Sequence, residues 1–192
     1  MDVTTLHART VQEFVSCVRA VGVDQWEQLS PCSEWSVREL VNHVVGEDRW
    51  TVPLLDGATI AEVGDACDGD LLGRDPLATV RAAGDAAVAA VRAAVPTAMK
   101  VHLSYGDEDV EEYVHQLAAD HLIHGWDVAA AVGGTRRLDP ELVVEIAGWF
   151  AEREPLYRGA GIIAERVEVT GDDPQDRLLA AFGRDPGWQP PS

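Results

Sequence analysis

Cations are scarce in this chain: its 192 residues hold 15 lysines and arginines against 33 acidic residues, a formal charge of −18. A surface of that sign repels phosphate backbones and anionic headgroups, so neither nucleic acid nor a membrane surface is an expected partner. Long apolar runs are also lacking. None approaches the ~18 residues of a membrane span, and the start MDVTTLHART has neither the basic region nor the apolar core of a signal peptide. The expected location is the cytoplasm. Cysteine is limited to Cys17, Cys32 and Cys67, an odd number without CxxC spacing, which leaves a disulfide framework or thiolate zinc site unsupported. There is no HExxH, no phosphate-binding loop and no nucleophile elbow, and Ser36 and Ser104 lack the setting for serine catalysis. What is present is ordinary for a globular protein, 46% hydrophobic and 25% charged. The length suits one domain over residues 1–192 with a proper core.

The chain is organised around Glu111 to Ala131, EEYVHQLAADHLIHGWDVAAA, which is free of proline and is stopped by Gly133-Gly134. Asp120 and His124 are four residues apart, so on a helix they lie one turn above the other and can converge on one point. Burying a carboxylate and an imidazole is costly without a partner, and a divalent metal is one such partner in helix bundles. Asp127, one turn further, is placed either to accept the N–H of a ligand imidazole or to pair with Arg136 or Arg137.

Helical periodicity recurs on both sides. Thr4 to Val21 shows a stripe of Leu6, Thr10, Phe14 and Val18, with His7 expected to be solvated. Ser36 and Glu39 have capping-box spacing, with Trp35 and Leu40 as the staple, and open a helix from Val37 to about Trp50. That helix places His43 in an apolar stripe with Leu40, Val44 and Glu47, where a lone histidine is more often core than ligand. Thr51 to Asp75 reads as a long loop, a lid or a segment with one short helical turn. Helices then follow from Asp75 to Ala94 (Pro76 at N1), Pro140 to Arg153 (Asp139 as cap) and Asp173 to Phe182. Met99 to Tyr105 alternates as a short strand, with His102 exposed and Arg166 to Thr170 as a strand beside it. By helical phase His115 and His121 point away from the Asp120/His124 stripe.

Together His43, Asp120 and His124 form a two-histidine, one-carboxylate set, which leaves positions open for water or substrate as catalytic zinc does. Imidazole and carboxylate suit zinc, nickel or iron, and zinc is the first expectation. Trp50, Tyr113 and Trp126 are the guessed pocket walls, each also explicable as core.

Three blocks, LSPCSEWSVRELVNHVVGEDRW, ADHLIHGWDVAAAVG and PQDRLLAAFGRDPGW, resemble an actinobacterial metal-binding family of the DinB-like superfamily, near the N-terminal domain of mycothiol-dependent maleylpyruvate isomerase. The resemblance implies a mainly α fold: a DinB-like four-helix bundle, here with extra short helices and room for two short strands. It also implies a metal held by a histidine of the second helix and an acid-x-x-x-His pair, positions matched by His43, Asp120 and His124. The isomerase has glutamate where this chain has Asp120, and it carries a further C-terminal domain. What carries over is therefore a metal site that activates a low-molecular-weight thiol, mycothiol or its like, for S-transfer to or isomerisation of a small electrophile. Three alternatives stay open: a metal-dependent hydrolase of thiol conjugates, a non-catalytic metal-binding bundle with Asp127 or Glu47 closing the shell, and a metal-free hydrogen-bonded core. A homodimer through exposed helix faces is a further expectation.

Overall fold

Four long helices enclose the centre of the computed structural model, which describes residues 1–32 and 35–191. They are α1 (Val3–Arg19), α2 (Val37–Leu55), α4 (Pro76–Ala94) and α5 (Val110–Val132). Helix α1 packs on α5 and α4, and α2 packs on the same two, which closes a four-membered ring. The mainly α bundle that the resemblance implies is thus present. Helix α3 (Ile60–Val63) is short, and α6 (Pro140–Gly159) and α7 (Pro174–Ala181) lie outside the ring.

The local chemistry explains the helix starts. Ser36 and Glu39 form the reciprocal capping box of α2, Asp75 and Asp139 accept backbone N–H groups at the starts of α4 and α6, and Pro76 and Pro140 occupy first-turn positions. Helix α5 ends where Gly133 takes φ +70°, a left-handed conformation that costs glycine little.

Three expectations are corrected. Helix α2 does not stop near Trp50. It continues through Pro53 to Leu55, while α3, with its own capping box at Thr59, is the short helical turn expected within 51–75. The remaining loop is tied down by Asn42, which binds Gly69 O and Leu71 N, and by Arg38 on Asp70, while Leu72 is buried. Residues 166–170 form no strand. The partner of β1 (Lys100–Leu103) is β2 (Gly106–Asp109), antiparallel across a tight turn, because a hairpin closes locally at a smaller entropic cost than a distant pairing. Finally, His7 is fully buried rather than solvated.

The core has three main parts. Leu6, Leu122, Trp126, Ile146 and Leu179 join α1 and α5 to α6 and α7. Phe14, Leu40, Val44, Val80 and Val128 fill the space between the four ring helices. Leu54, Val91, Val101, Val114 and Leu117 close one end against the hairpin.

Helix α6 is held to α5 by Glu112, which accepts hydrogen bonds from Trp149 Nε1 (2.9 Å), Tyr157 OH (2.8 Å) and Arg153 Nε (3.1 Å). Burial opposes ionisation of Glu112, but these three donors outweigh it and hold the carboxyl below its ordinary value of 4.5. A depressed folded-state value means the contribution is present above that ordinary value and is lost as pH falls through the folded one. Glu112→Gln should therefore cost about 1–3 kcal/mol at neutral pH, and the deficit should shrink in acid, as urea melts at pH 7 and pH 4 would show.

Candidate metal centre

Positions 43 and 47 on α2 and 120 and 124 on α5 are each one helical turn apart, so the packing of α2 on α5 brings both pairs to one seam. One donor atom from each of His43, Asp120 and His124 lies within 4.8 Å of the others. His124 Nε2 is 3.3 Å from Asp120 Oδ1, and His43 Nε2 is 3.5 Å from Asp120 Oδ2. Charge-assisted hydrogen bonds close to about 2.7–2.9 Å, so both contacts are long for direct pairs. They do match the ~3.4 Å that separates ligand atoms on a tetrahedral shell with metal–ligand distances near 2.1 Å.

The hydrogen-bond inventory agrees with that geometry. His124 Nδ1 lies 3.0 Å from Asp127 Oδ2, and since a carboxylate only accepts, the N–H is on Nδ1 and the Nε2 lone pair of the neutral ring faces Asp120. Asp120 Oδ2 is buried without a hydrogen-bond partner. Acceptors facing acceptors need a cation or a proton between them, and these three donors fit a divalent ion. In the ion-free protein a proton takes that place. Burial lowers the His124 pKa, but Asp120 and Asp127 outweigh it and push the value up to about 9. Burial likewise opposes ionisation of Asp120, yet His124 and His43 hold its carboxyl well below the usual range.

Asp127 is fully buried, and its other partner is Arg184 rather than Arg136 or Arg137. The Arg184 guanidinium places Nη2 2.9 Å from Oδ2 and Nε 3.1 Å from each carboxylate oxygen. Arg136 instead binds the carbonyls of Ala130 and Trp188, and Arg137 pairs with Asp173. Arg184 lies about sixty residues from Asp127 in a segment without helical or strand period, and no local spacing signals the pair.

The cluster opens into a cavity of about 530 Å³. Tyr113 lines it, as guessed from sequence. Trp126 instead lies in the core, and Trp50 packs at the hairpin end of the bundle. The indoles on the cavity are Trp35, whose ring centroid is 4.8 Å from that of His43, and Trp149 from α6. Residues 162–164 and Tyr105 complete the wall, where the 51–75 segment was considered as a lid. Glu47 also faces the cavity. Burial and then the charge of Asp120 raise its carboxyl pKa above the ordinary value. Among the described residues it is not within the 4.8 Å donor group.

The family described as "Mycothiol maleylpyruvate isomerase N-terminal domain" matches residues 7–129, a span that includes all three donors. Two uncharacterized proteins of Mycobacterium tuberculosis, Rv0738 of strain H37Rv and MT0763 of strain CDC 1551, are each 34% identical over 193 aligned positions, covering 96% of this chain and 98% of theirs. No solved structure gives a significant match. The chain belongs to the family of mycothiol maleylpyruvate isomerase N-terminal domains.

Proposed function

We propose that the chain is a divalent-metal enzyme, zinc the first choice, that binds a low-molecular-weight thiol of the mycothiol type and joins it to a small electrophile. The observation that supports this most is the placement of His43, Asp120 and His124 on the wall of an open cavity, with Glu47 outside the donor group. Three protein donors leave a position for an exogenous ligand. A divalent ion held there supplies the positive charge that keeps a thiol ionised at neutral pH.

The remaining roles belong to this chain's own side chains. Asp127 orients His124 through Nδ1 and is itself fixed by Arg184. Trp35, Tyr113 and Trp149 give the cavity aromatic walls that shield a bound thiol from water. Glu47, which lines the cavity and whose carboxyl is held by burial above its ordinary value, would give a proton to the electrophile as the carbon–sulfur bond forms, or recover one when that bond breaks. The proton lost by the thiol on binding balances the one delivered to the product.

Cobalt-loaded protein tests the reading. Addition of a small aliphatic thiol should produce a sulfur-to-cobalt charge-transfer band, absent with the matching disulfide and absent in His124→Ala. A loaded protein that shows no thiol-dependent spectral change would overturn the thiol reading and favour hydrolysis or a purely structural ion. A Glu47→Gln variant that binds thiol unchanged but loses about 10²–10⁴-fold in turnover of an electrophile would locate the proton carrier.

A further inference from the structure

Consecutive helical residues point about 100° apart, so Asp48 and His121, which follow Glu47 and Asp120, leave the cavity and enter the bundle interior. There they meet His7 of α1. All three are buried: His7 has no exposed surface, and Asp48 and His121 are each 1% exposed. One donor atom from each lies within 4.8 Å of the others. On the α4 side the backbone of Gly84 closes the space, since a Cβ there would stand 2.7 Å from Val11 Cγ1 and 3.7 Å from Asp48 Oδ2.

The polar atoms of this cluster are poorly satisfied. His121 Nδ1 is 2.8 Å from Leu117 O, which only accepts, so Nδ1 carries a proton and Nε2 faces inward. That nitrogen lies 3.2 Å from Asp48 Oδ1, and neither atom makes a hydrogen bond. Both ring nitrogens of His7 are buried and unpartnered as well. Buried polar groups in folded proteins are nearly always paired, so the His7 nitrogens, without a hydrogen-bond partner beside the Asp48–His121 ion pair, point to a missing partner. The 3.2 Å nitrogen–oxygen separation again resembles the ~3.4 Å spacing of ligand atoms on a tetrahedral metal shell.

We propose that His7, Asp48 and His121 form a second divalent-metal site, sealed inside the bundle and structural in role. Two imidazoles and a carboxylate suit an ion of the zinc class. Enclosure by α1, α2, α5 and the Gly84 backbone leaves no path for a substrate, unlike the open cluster at the cavity. The cavity and the interior cluster share the dipeptides Glu47-Asp48 and Asp120-His121, one residue of each facing either way.

Elemental analysis of untagged full-length protein reconstituted with zinc, compared with His124→Ala, tests this directly. The wild type should hold about two ions per chain and His124→Ala about one, released to chelator far more slowly than the first. Asp48→Asn, nearly isosteric, should reduce the wild type to about one ion while preserving the thiol-sensitive cobalt spectrum of the cavity site. His124→Ala leaves the interior untouched, so the result does not depend on a core variant folding. A single wild-type ion that His124→Ala abolishes would overturn the interior site and leave the proposed function standing. A single ion retained in His124→Ala but lost in Asp48→Asn would support the interior site and remove the basis of the proposed function.

Discussion

His124→Ala should lose the cavity ion, with affinity falling at least about 100-fold, the upper end of what removal of an outer partner alone costs. The reason is geometric. His124 supplies one of the three donors grouped there among the described residues, and its Nε2 faces Asp120 because Nδ1 is committed to Asp127. Alanine leaves the half-buried Asp120 beside His43 alone. Zinc content and a competition titration against a chromophoric chelator measure the loss, and circular dichroism checks that the helices survive. Unchanged affinity for the cavity ion would refute the ligand assignment.

The same residue sets an opposite pH trend for the ion-free and loaded protein. With its folded pKa raised from 6.5 to about 9, His124 stabilises the ion-free fold fully below 6.5, and that contribution is lost as pH rises through about 9. An ion must displace that proton, so its affinity should grow roughly tenfold per pH unit up to about 9. Ion-free protein should thus lose stability between pH 7 and 9 while metal affinity increases. Parallel trends would argue against a His124 proton at the site.

The second large effect is expected at Asp127. It is fully buried, it orients His124, and it is the carboxylate partner of Arg184, whose side chain is only 13% exposed. Removing one partner of a buried ion pair strands the other charge, which typically costs about 3–5 kcal/mol. Asp127→Ala should destabilise the fold by that order and also weaken the cavity ion by roughly 10–100-fold, because His124 loses its orienting acceptor. Arg184→Met separates the two effects. It leaves the His124 hydrogen bond in place, so stability should fall with a smaller change in metal affinity. Denaturant melts and metal titrations of both variants check this, and equal metal losses in the two would show that Arg184, not Asp127, governs the site.

Much of the architecture was legible locally. The capping box at Ser36 and Glu39, the first-turn prolines at 76 and 140, and the glycine stop at 133 depend on neighbours within a few residues, and each appears where the spacing places it. The pair of Asp120 and His124 was equally readable, since helical spacing alone sets two side chains on one face. The burial of His7 is not legible from residue type, because the preference of histidine for water masks the helical phase it shares with Val3, Thr10, Val11 and Phe14. The Arg166–Thr170 strand failed for a similar reason: alternation signals an extended segment but not its partner, and Gly106–Asp109 was nearer.

By itself, then, the sequence determined where the long helices begin and which side chains share a face, because these follow from short-range geometry. Only the tertiary structure decided that His43 meets Asp120 and His124, that Arg184 rather than Arg136 or Arg137 neutralises Asp127, and that His7 reaches Asp48 and His121. Those contacts join residues dozens of positions apart. They are selected by the packing of whole helices, whose apolar faces define the register but leave no trace in the spacing of any one segment.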